Sequence, residues 1–488
     1  MSKAAKEVRV RIAPSPTGNL HIGNARAGLF NYLFARSVGG KFILRVDDTD
    51  KERSTLDAED AIYKGFEWLG IDWDEGPNKD GGYGPYRQSE RSKLYADALN
   101  KMLEDGNAYY CFCSQDVLAE KRTDAEKAHE IYRYDEACRD IPLDEARKRV
   151  AAGERAVVRL KIPRDLSIVF TDLVRGEIVV NSSAFDDFVI AKPGGDPLYN
   201  FATVVDDHLM DISHVLRGQD HLTNTSKQIL IYHALGYDLP EFGHLPLILD
   251  TKRKKLSKRA GAVYIGDFQE QGFLPEAVTN FIALLGWAPG DNREKMTLSE
   301  MVDAFKLERV QKSDAIFDME KLMWLNGVYI REMDIPTLTS NLKPYLKNAG
   351  LVDDSTNEKW LESVMVLEQE RIRMFSEAPE MFEFFFKDIE YSPKLLQVKQ
   401  KEDSEISKAL SRVKETLNLV DEWKASEIEN SCRALVSEMG WKAGDLFMPI
   451  RIAVTGRKAT PPLFETIEVL GRELSLSRID KAIGLLKV

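Results

Sequence analysis

The chain has 488 residues, of which 43% are hydrophobic, 9% aromatic and 30% charged, with a formal net charge of -12. That length exceeds what one hydrophobic core serves and predicts about three domains of a soluble globular protein; no apolar run is long enough to span a bilayer, and four cysteines exclude a disulfide scaffold and fit a reducing, cytoplasmic setting. The acidic balance excludes a general nucleic-acid coating protein, whose phosphate contacts need Lys and Arg, while leaving room for a local basic track.

The opening segment, Met1 to Glu7, is polar and leads straight into a strand, so no signal or transit peptide is expected. Val8, Val10 and Ile12 alternate with Arg9 and Arg11, the period of a strand. Pro14-Ser15-Pro16-Thr17-Gly18 must be a loop. From Gly23 the apolar residues Leu29, Phe30, Leu33 and Phe34 fall at helical spacing, and Gly39-Gly40 stops the helix. Lys41 to Val46 is a second strand, ending in the acidic run Asp47-Asp48-Thr49-Asp50. The result is a βαβ unit whose loop opens onto a helix N-terminus. Such a terminus offers free N–H groups and positive partial charge, which suit a phosphate, and His21 stands at its entrance. Neither the dinucleotide Gly-x-Gly-x-x-Gly fingerprint nor a Walker loop is present, so this phosphate site is of another class.

Further along, Leu56 to Leu69 reads as an amphipathic helix and Asp74 to Pro85 as an exposed loop. A helix begins at Tyr86-Arg87-Gln88-Ser89 and closes at Gly106. From Tyr109 the composition changes: three cysteines, charged helices over Val117–Tyr132 and Leu143–Ala152, and short strands at Ala156–Ile162, Ser167–Asp172 and Gly176–Asn181. Tyr86 to Tyr199 is therefore an insertion of mixed structure. The chain re-enters the first sheet at Val204-Val205-Asp206-Asp207, followed by a strand over His214–Arg217 and a helix over Thr225–Leu235. A strand over His244–Leu249, a late member of the same sheet, delivers the basic run Lys252 to Arg259. Helical periodicity resumes at Leu274, recurs over Asp318–Ile330, and dominates beyond Pro336, so the C-terminal third is an all-α bundle.

Two motifs carry chemistry. Around Pro14–Asn24, His21 is placed to donate to a phosphate, and Gly23 lets a substrate approach the backbone; the bland alternative is a turn with a surface histidine. Lys255-Leu256-Ser257-Lys258-Arg259 is suited to clamp a leaving pyrophosphate, with Lys258 supplying charge as it develops; the bland alternative is a solvated charge run. Each is weak alone.

Together, in this order, His21-Ile22-Gly23-Asn24 and Lys255-Leu256-Ser257-Lys258-Arg259 resemble the two signatures of class I aminoacyl-tRNA synthetases. The stretches RIAPSPTGNLHIGNARAGLFNYLFAR, GPYRQSERSKLY, VVDDHLMDISHVLRGQDH, KLSKRAGAV, FLPEAVTNFIALLGW and PIRIAVTG narrow the resemblance to glutamyl-tRNA synthetases of the bacterial and organellar type. It covers nearly the whole chain from Val8. It implies an α/β Rossmann-like catalytic domain with an α/β insertion and an all-α C-terminal anticodon-binding region. The corresponding division is a catalytic domain over 1–85 and 200–260, an acceptor-arm insertion over 86–199, a linking helical region over 261–335 and an anticodon domain over 336–488.

The implied reaction joins L-glutamate to tRNA(Glu) through a glutamyl-adenylate, with Mg2+-bound ATP as cosubstrate, in a cytoplasmic monomer. By the same resemblance His21 and Lys258 stabilise the phosphates, Gly23, Asn24, Asp220 and Lys255 shape the ATP pocket, and Asn24 stands where class I enzymes usually have histidine. Arg11 and Arg217 match carboxylate-binding arginines, a task that a planar guanidinium suits; the alternative for each is a structural ion pair. Ser15 and Tyr199 match further glutamate contacts. Asp47 matches the acid that meets the substrate ammonium, where the family usually has Glu; its shorter side chain points to a water-bridged contact. Thr203 stands where some members have an amide, and no contact is carried over to it.

Cys111-x-Cys113 with Cys138-x-Asp140 resembles a zinc knuckle found in some members, three thiolates and a carboxylate making a tetrahedral set; the alternative is free cytosolic thiols. Cys432 reads as core. Arg371 and Arg373 fall where an anticodon-reading arginine is expected, with Arg371 favoured. Phe382, Phe384, Phe385 and Phe386, at helical spacing, read as core and not as a base-stacking surface. Two other functions remain open: an enzyme that also glutamylates tRNA(Gln), and, in a different class, an inactive tRNA-binding protein.

Overall fold

The computed structural model describes residues 7–50, 53–130, 132–256 and 263–486. These form two compact units, Met1–Gln269 with Pro275–Leu322, and Glu270–Leu274 with Met323–Val488.

The first unit is organised on a six-stranded sheet. Strand β1 (Arg9–Ile12) pairs in parallel with β2 (Lys41–Leu44), joined by helix α1 (Ile22–Val38). The His21 side chain caps α1, and Gly39 ends it at φ 70°, a left-handed conformation that glycine adopts without a Cβ penalty. Ile22, Leu29, Phe30 and Leu33 bury one face of the helix. After α2 (Leu56–Trp68) and α3 (Ser92–Glu104) come β3 (Ala108–Cys111), α4 (Gln115–Lys127), α5 (Leu143–Ala151) and β4 (Val157–Leu160). A hairpin of β5 (Ser167–Asp172) and β6 (Gly176–Asn181) leads to β7 (Val189–Ala191) and α6 (Tyr199–Leu209). β3, β4 and β7 make a separate antiparallel sheet.

The chain returns to the main sheet at β8 (His214–Gly218), crosses α7 (Leu222–Leu235) and enters β9 (Glu241–Leu245). The sheet order is β2-β1-β8-β9-β5-β6, parallel except for β5–β6. The connection from β1 goes first to β2 on one side and later to β8 on the other. β1 and β8 therefore flank a topological switch point, where open α/β sheets bind ligands at the carboxyl ends of their strands. Arg11 and Arg217 are each the penultimate residue of one of these strands.

Three expectations are corrected here. Val204 to Asp207 are helical, within α6, where they are buried on all sides between α3, α7 and β7, and the re-entering strand is β8. The strand expected over His244–Leu249 is two: β9 belongs to the main sheet, whereas β10 (Ile248–Leu249) pairs with β11 (Ala315–Ile316) in a small sheet of its own. The strand over Ser167–Asp172, read as part of an insertion, extends the main sheet with its hairpin partner.

The remaining elements are helices: α8 (Ile265–Glu270), α9 (Pro275–Leu284), α10 (Leu298–Ala304), α11 (Met319–Arg331), α12 (Ile335–Asn348), α13 (Glu358–Glu368), α14 (Ala378–Phe386), α15 (Asp403–Asn418), α16 (Ala425–Met439), α17 (Ala443–Thr455), α18 (Leu463–Leu470) and α19 (Arg472–Leu485). Among the described residues the second unit contains no strand. Its core gathers Phe382, Phe384 and Phe385, all buried, together with Leu410, Val413, Ile450 and Ile479; α15 packs on α16, α17 and α19.

Candidate active site

At the switch point lies a cavity of about 500 Å³. Arg11, Ser15, His21, Gly23, Asn24, Asp47, Tyr199, Arg217, Asp220 and Lys255, which sequence reasoning singled out separately, all line it. Lys258 lies outside the described residues.

The phosphate side is built on the start of α1. His21 Nδ1 accepts the backbone N–H of Gly23 at 3.0 Å, which leaves the proton of the neutral ring on Nε2. Burial, reinforced by Lys255, lowers the pKa of this imidazole, so it is a neutral donor. A Cβ at position 23 would come within 3.3 Å of Nδ1, so glycine leaves the cap uncrowded. The ring stands edge-on to Tyr264, with centroids 5.9 Å apart. Lys255 pairs with Asp220 at 3.5 Å, both largely exposed, and neither is immobilised by the contact.

The amino-acid side is built on β1 and β8. Arg11 is buried and bound bidentately by Asp207, with Nε–Oδ1 and Nη2–Oδ2 both 3.0 Å. It thus makes the structural ion pair foreseen as the alternative and also lines the cavity. Asp207 takes a third bond from Arg45 Nη1 at 2.6 Å, and Arg45 Nε reaches Asp47 Oδ1 at 2.7 Å. Arg217 is different. It is 6% exposed and forms no ion pair with a described carboxylate. Nη2 donates to Thr225 Oγ1 at 2.7 Å and to Gln228 Oε1 at 2.6 Å, while Nη1 has no partner. Burial, aided by the Arg11 cation, pulls the pKa of this guanidinium down, the direction expected of a buried cation short of counter-charge. Thr203, also on the cavity wall, is 1% exposed, and its Oγ1 has no partner either. Tyr199 holds its hydroxyl 3.2 Å from His221 Nδ1.

A cavity with a capped phosphate-type helix entrance and an unneutralised buried arginine fits a molecule that is both nucleotide and carboxylate. Comparison with known proteins agrees. Residues 7–324 match the family described as "tRNA synthetases class I (E and Q), catalytic domain", and residues 337–483 match "Anticodon binding domain". Glutamate–tRNA ligase 1 of Syntrophomonas wolfei is 44% identical over 479 residues, covering 98% of this chain and 97% of that protein. The chain belongs to the glutamate–tRNA ligases, class I aminoacyl-tRNA synthetases. Glutamate–tRNA ligase of Bacillus subtilis is 43% identical over 479 residues, covering 97% of this chain and 99% of its own. A crystal structure of the glutamate–tRNA ligase from Elizabethkingia meningosepticum, in complex with its amino acid, is similar over 99% of this chain and 100% of that one, with 34% identity and a TM-score of 0.92.

Within this ligase fold the cysteine cluster lies apart from the cavity. The sulfurs of Cys111, Cys113 and Cys138 all lie within 4.8 Å of one another, and Cys113–Cys138 is 3.8 Å. Zinc–sulfur bonds of about 2.3 Å in a tetrahedron imply sulfurs roughly 3.8 Å apart, so the donor set fits that ion. Asp140 does not join them. Its side chain is 94% exposed and its carboxylate lies 3.8 Å from Lys161 Nζ. The oxygen that meets the thiols is the Tyr134 hydroxyl, 3.2 Å from Cys111 Sγ and 3.9 Å from Cys113 Sγ. Arg159 stacks on the Tyr134 ring at 3.8 Å. Burial pushes the Cys111 thiol up, but hydrogen bonds from Tyr134 and Arg159 outweigh it and bring its pKa below the usual thiol value.

In the second unit Arg371 donates from Nη1 to the fully buried Glu368 at 2.6 Å and from Nη2 to the Ala459 carbonyl at 3.3 Å. Arg373 Nη2 reaches Glu377 at 3.1 Å. Sequence reasoning gave no role to Arg45, Asp207, His221, Thr225 and His244, of which Asp207 and His221 lie in a stretch quoted for the resemblance, and it carried no contact over to Thr203.

Proposed function

We infer that this chain joins L-glutamate to the terminal adenosine of tRNA(Glu) in two steps. The glutamate α-carboxylate attacks the α-phosphorus of ATP, a P–O bond forms, and pyrophosphate leaves. The adenosine hydroxyl then takes the glutamyl group and releases AMP. Magnesium accompanies ATP and neutralises phosphate charge. The observation that carries this reading is Arg217, a buried guanidinium without a carboxylate partner on a ligand-sized cavity. An uncompensated buried charge costs on the order of several kcal/mol, which a substrate carboxylate offsets on binding. Arg11 supplies the second cation, Ser15, Tyr199 and Asp47 complete the amino-acid contacts, and the Nε2–H of His21 donates a hydrogen bond to ATP in a pocket shaped by Gly23, Asn24, Asp220 and Lys255, with Lys258 assigned to the phosphates. The contact to each substrate atom is our assignment.

We further assign residues 86–199, apart from the β5–β6 hairpin that extends the catalytic sheet, to the acceptor arm, 261–335 to the linking region, 336–488 to the anticodon with Arg371 as a reading residue, and one structural zinc to Cys111, Cys113 and Cys138 with Tyr134. The protein is placed in the cytoplasm as a monomer; among the described residues no helix is long and apolar enough to cross a membrane. The test is aminoacylation of purified tRNA(Glu) and tRNA(Gln) with labelled glutamate and glutamine in competition. Glutamate on tRNA(Glu), with no glutamine transferred, is expected. Absence of any charging by properly folded protein would leave the tRNA-binding alternative.

A further inference from the structure

Arg217 is held by a buried chain of hydrogen bonds whose direction can be worked out atom by atom. Its Nη2 donates to Thr225 Oγ1 at 2.7 Å. Thr225 Oγ1 lies 2.8 Å from His244 Nε2, and His244 Nδ1 lies 2.5 Å from Asp172 Oδ2. Thr225 and His244 are fully buried and Asp172 is 2% exposed.

The polarity starts at Asp172. Its Oδ1 accepts backbone N–H groups from Val174 at 3.0 Å, Arg175 at 2.8 Å and His244 at 3.2 Å. Burial pushes this carboxyl up, but the His244 bond and the backbone donors outweigh it and hold it below the usual carboxylate range. An ionised carboxylate only accepts, so His244 Nδ1 carries a proton. Burial keeps His244 neutral against the pull of Asp172, with the Arg217 cation adding to the effect. Nε2 is therefore an acceptor. It takes the Thr225 hydroxyl proton, with Arg217 Nε also pointing at it from 3.5 Å. The Thr225 oxygen is then free to accept from Arg217 Nη2. With Nε and Nη2 turned to this chain and to Gln228, Nη1 is the nitrogen left over for a ligand.

We propose that Asp172 and Thr225 are positioning residues for glutamate recognition: through the Nδ1–H tautomer of His244 they fix the orientation of Arg217 that leaves Nη1 to the substrate carboxylate. The inference rests on the reading of Arg217 as a glutamate-binding residue. Moving the His244 proton to Nε2 would set an N–H against Arg217 Nε and turn the Thr225 hydroxyl proton toward the His221 carbonyl, 3.4 Å away, and so displace the guanidinium. Asp172 belongs to β5, so the seating of the β5–β6 hairpin on the sheet is felt at the amino-acid site.

The test uses full-length enzyme. Asp172→Asn keeps size and a carbonyl acceptor for the backbone donors, but its amide donates and drives the His244 proton to Nε2. The KM for glutamate should rise about ten- to a hundredfold, as for a small misplacement of a binding group, with the KM for ATP and for tRNA unchanged. Nitrogen NMR of labelled histidine should show the Nδ1–H tautomer of His244 in the native enzyme and Nε2–H in the variant. Thr225→Val should raise the glutamate KM in the same sense, and Thr225→Ser should restore it. These two variants keep the inference testable should Asp172→Asn not fold. An unchanged glutamate KM in Thr225→Val, or an Nε2–H tautomer in the native enzyme, overturns the inference. Arg217→Gln run alongside separates the two readings. If it leaves the glutamate KM unchanged, the assignment of Arg217 has failed; if it raises KM while Thr225→Val does not, only the positioning inference has.

Discussion

Arg45 holds Asp47 by a 2.7 Å bond from Nε to Oδ1, with both side chains at most 3% exposed. The same guanidinium is shared with Asp207 and lies 3.8 Å from Asp206, so Asp47 has less than a whole cation to itself. Burial pushes its carboxyl up from 3.8 to about 6, despite Arg45 and with Asp206 adding to the rise.

An acid whose folded pKa exceeds its unfolded value favours the fold most when protonated. The stabilising contribution of Asp47 should thus be complete below pH 3.8 and lost as pH rises through about 6. Melting temperatures of the native enzyme and of Asp47→Asn, compared from pH 4 to 7.5, should show the native advantage falling across that window. Because only the ionised form attracts the substrate ammonium, the glutamate KM of the native enzyme should fall over the same interval, and that inflection should be absent in Asp47→Asn. A flat difference in both quantities would mean that Asp47 is ionised throughout.

Thr203 carries a buried hydroxyl without a partner on the cavity wall. Replacing it with valine removes an unsatisfied polar atom at nearly constant volume, which should leave stability unchanged or raise it by about 1 kcal/mol. If the hydroxyl instead serves the amino acid, the glutamate KM should rise severalfold in that same, undamaged protein. Thermal unfolding and aminoacylation kinetics on one preparation check both signs.

Elemental analysis should find one zinc per chain. Cys138→Ser should lose the metal and melt several degrees lower, whereas Asp140→Ala should retain it, because the Asp140 carboxylate is exposed and apart from the sulfurs. Metal-free protein with native stability would favour free thiols.

Much of this architecture was legible because βαβ periodicity and the order of two short motifs are local signals. The apolar spacing of α1 and the helical period beyond Pro336 needed nothing from elsewhere in the chain. Arg9 and Arg11 were not legible in the same way. Alternation with Val8, Val10 and Ile12 suggests a half-exposed strand, yet both arginines are buried, because Glu75 and Asp207 arrive from distant segments to pair with them. Val204 to Asp207 looks extended by residue type, and the packing of α6 between α3, α7 and β7 overrides that preference. Asp140 has a plausible metal-ligand spacing from Cys138, but the thiols meet Tyr134, whose position near Cys111 depends on how the chain folds back between them. His244 and Asp172 escaped notice for the same reason: neither belongs to a motif, and their 2.5 Å contact joins strands that are 72 residues apart.

The central claim is that Arg217 binds a carboxylate of glutamate, and the most direct measurement is the steady-state kinetics of Arg217→Gln in aminoacylation. Loss of a buried, charge-assisted contact of roughly 2–5 kcal/mol predicts a rise in the glutamate KM, or a fall in kcat/KM, of about 30-fold to several thousandfold, with the KM for ATP and for tRNA within about twofold of native. A variant that folds normally and charges tRNA at the native glutamate KM would contradict the account.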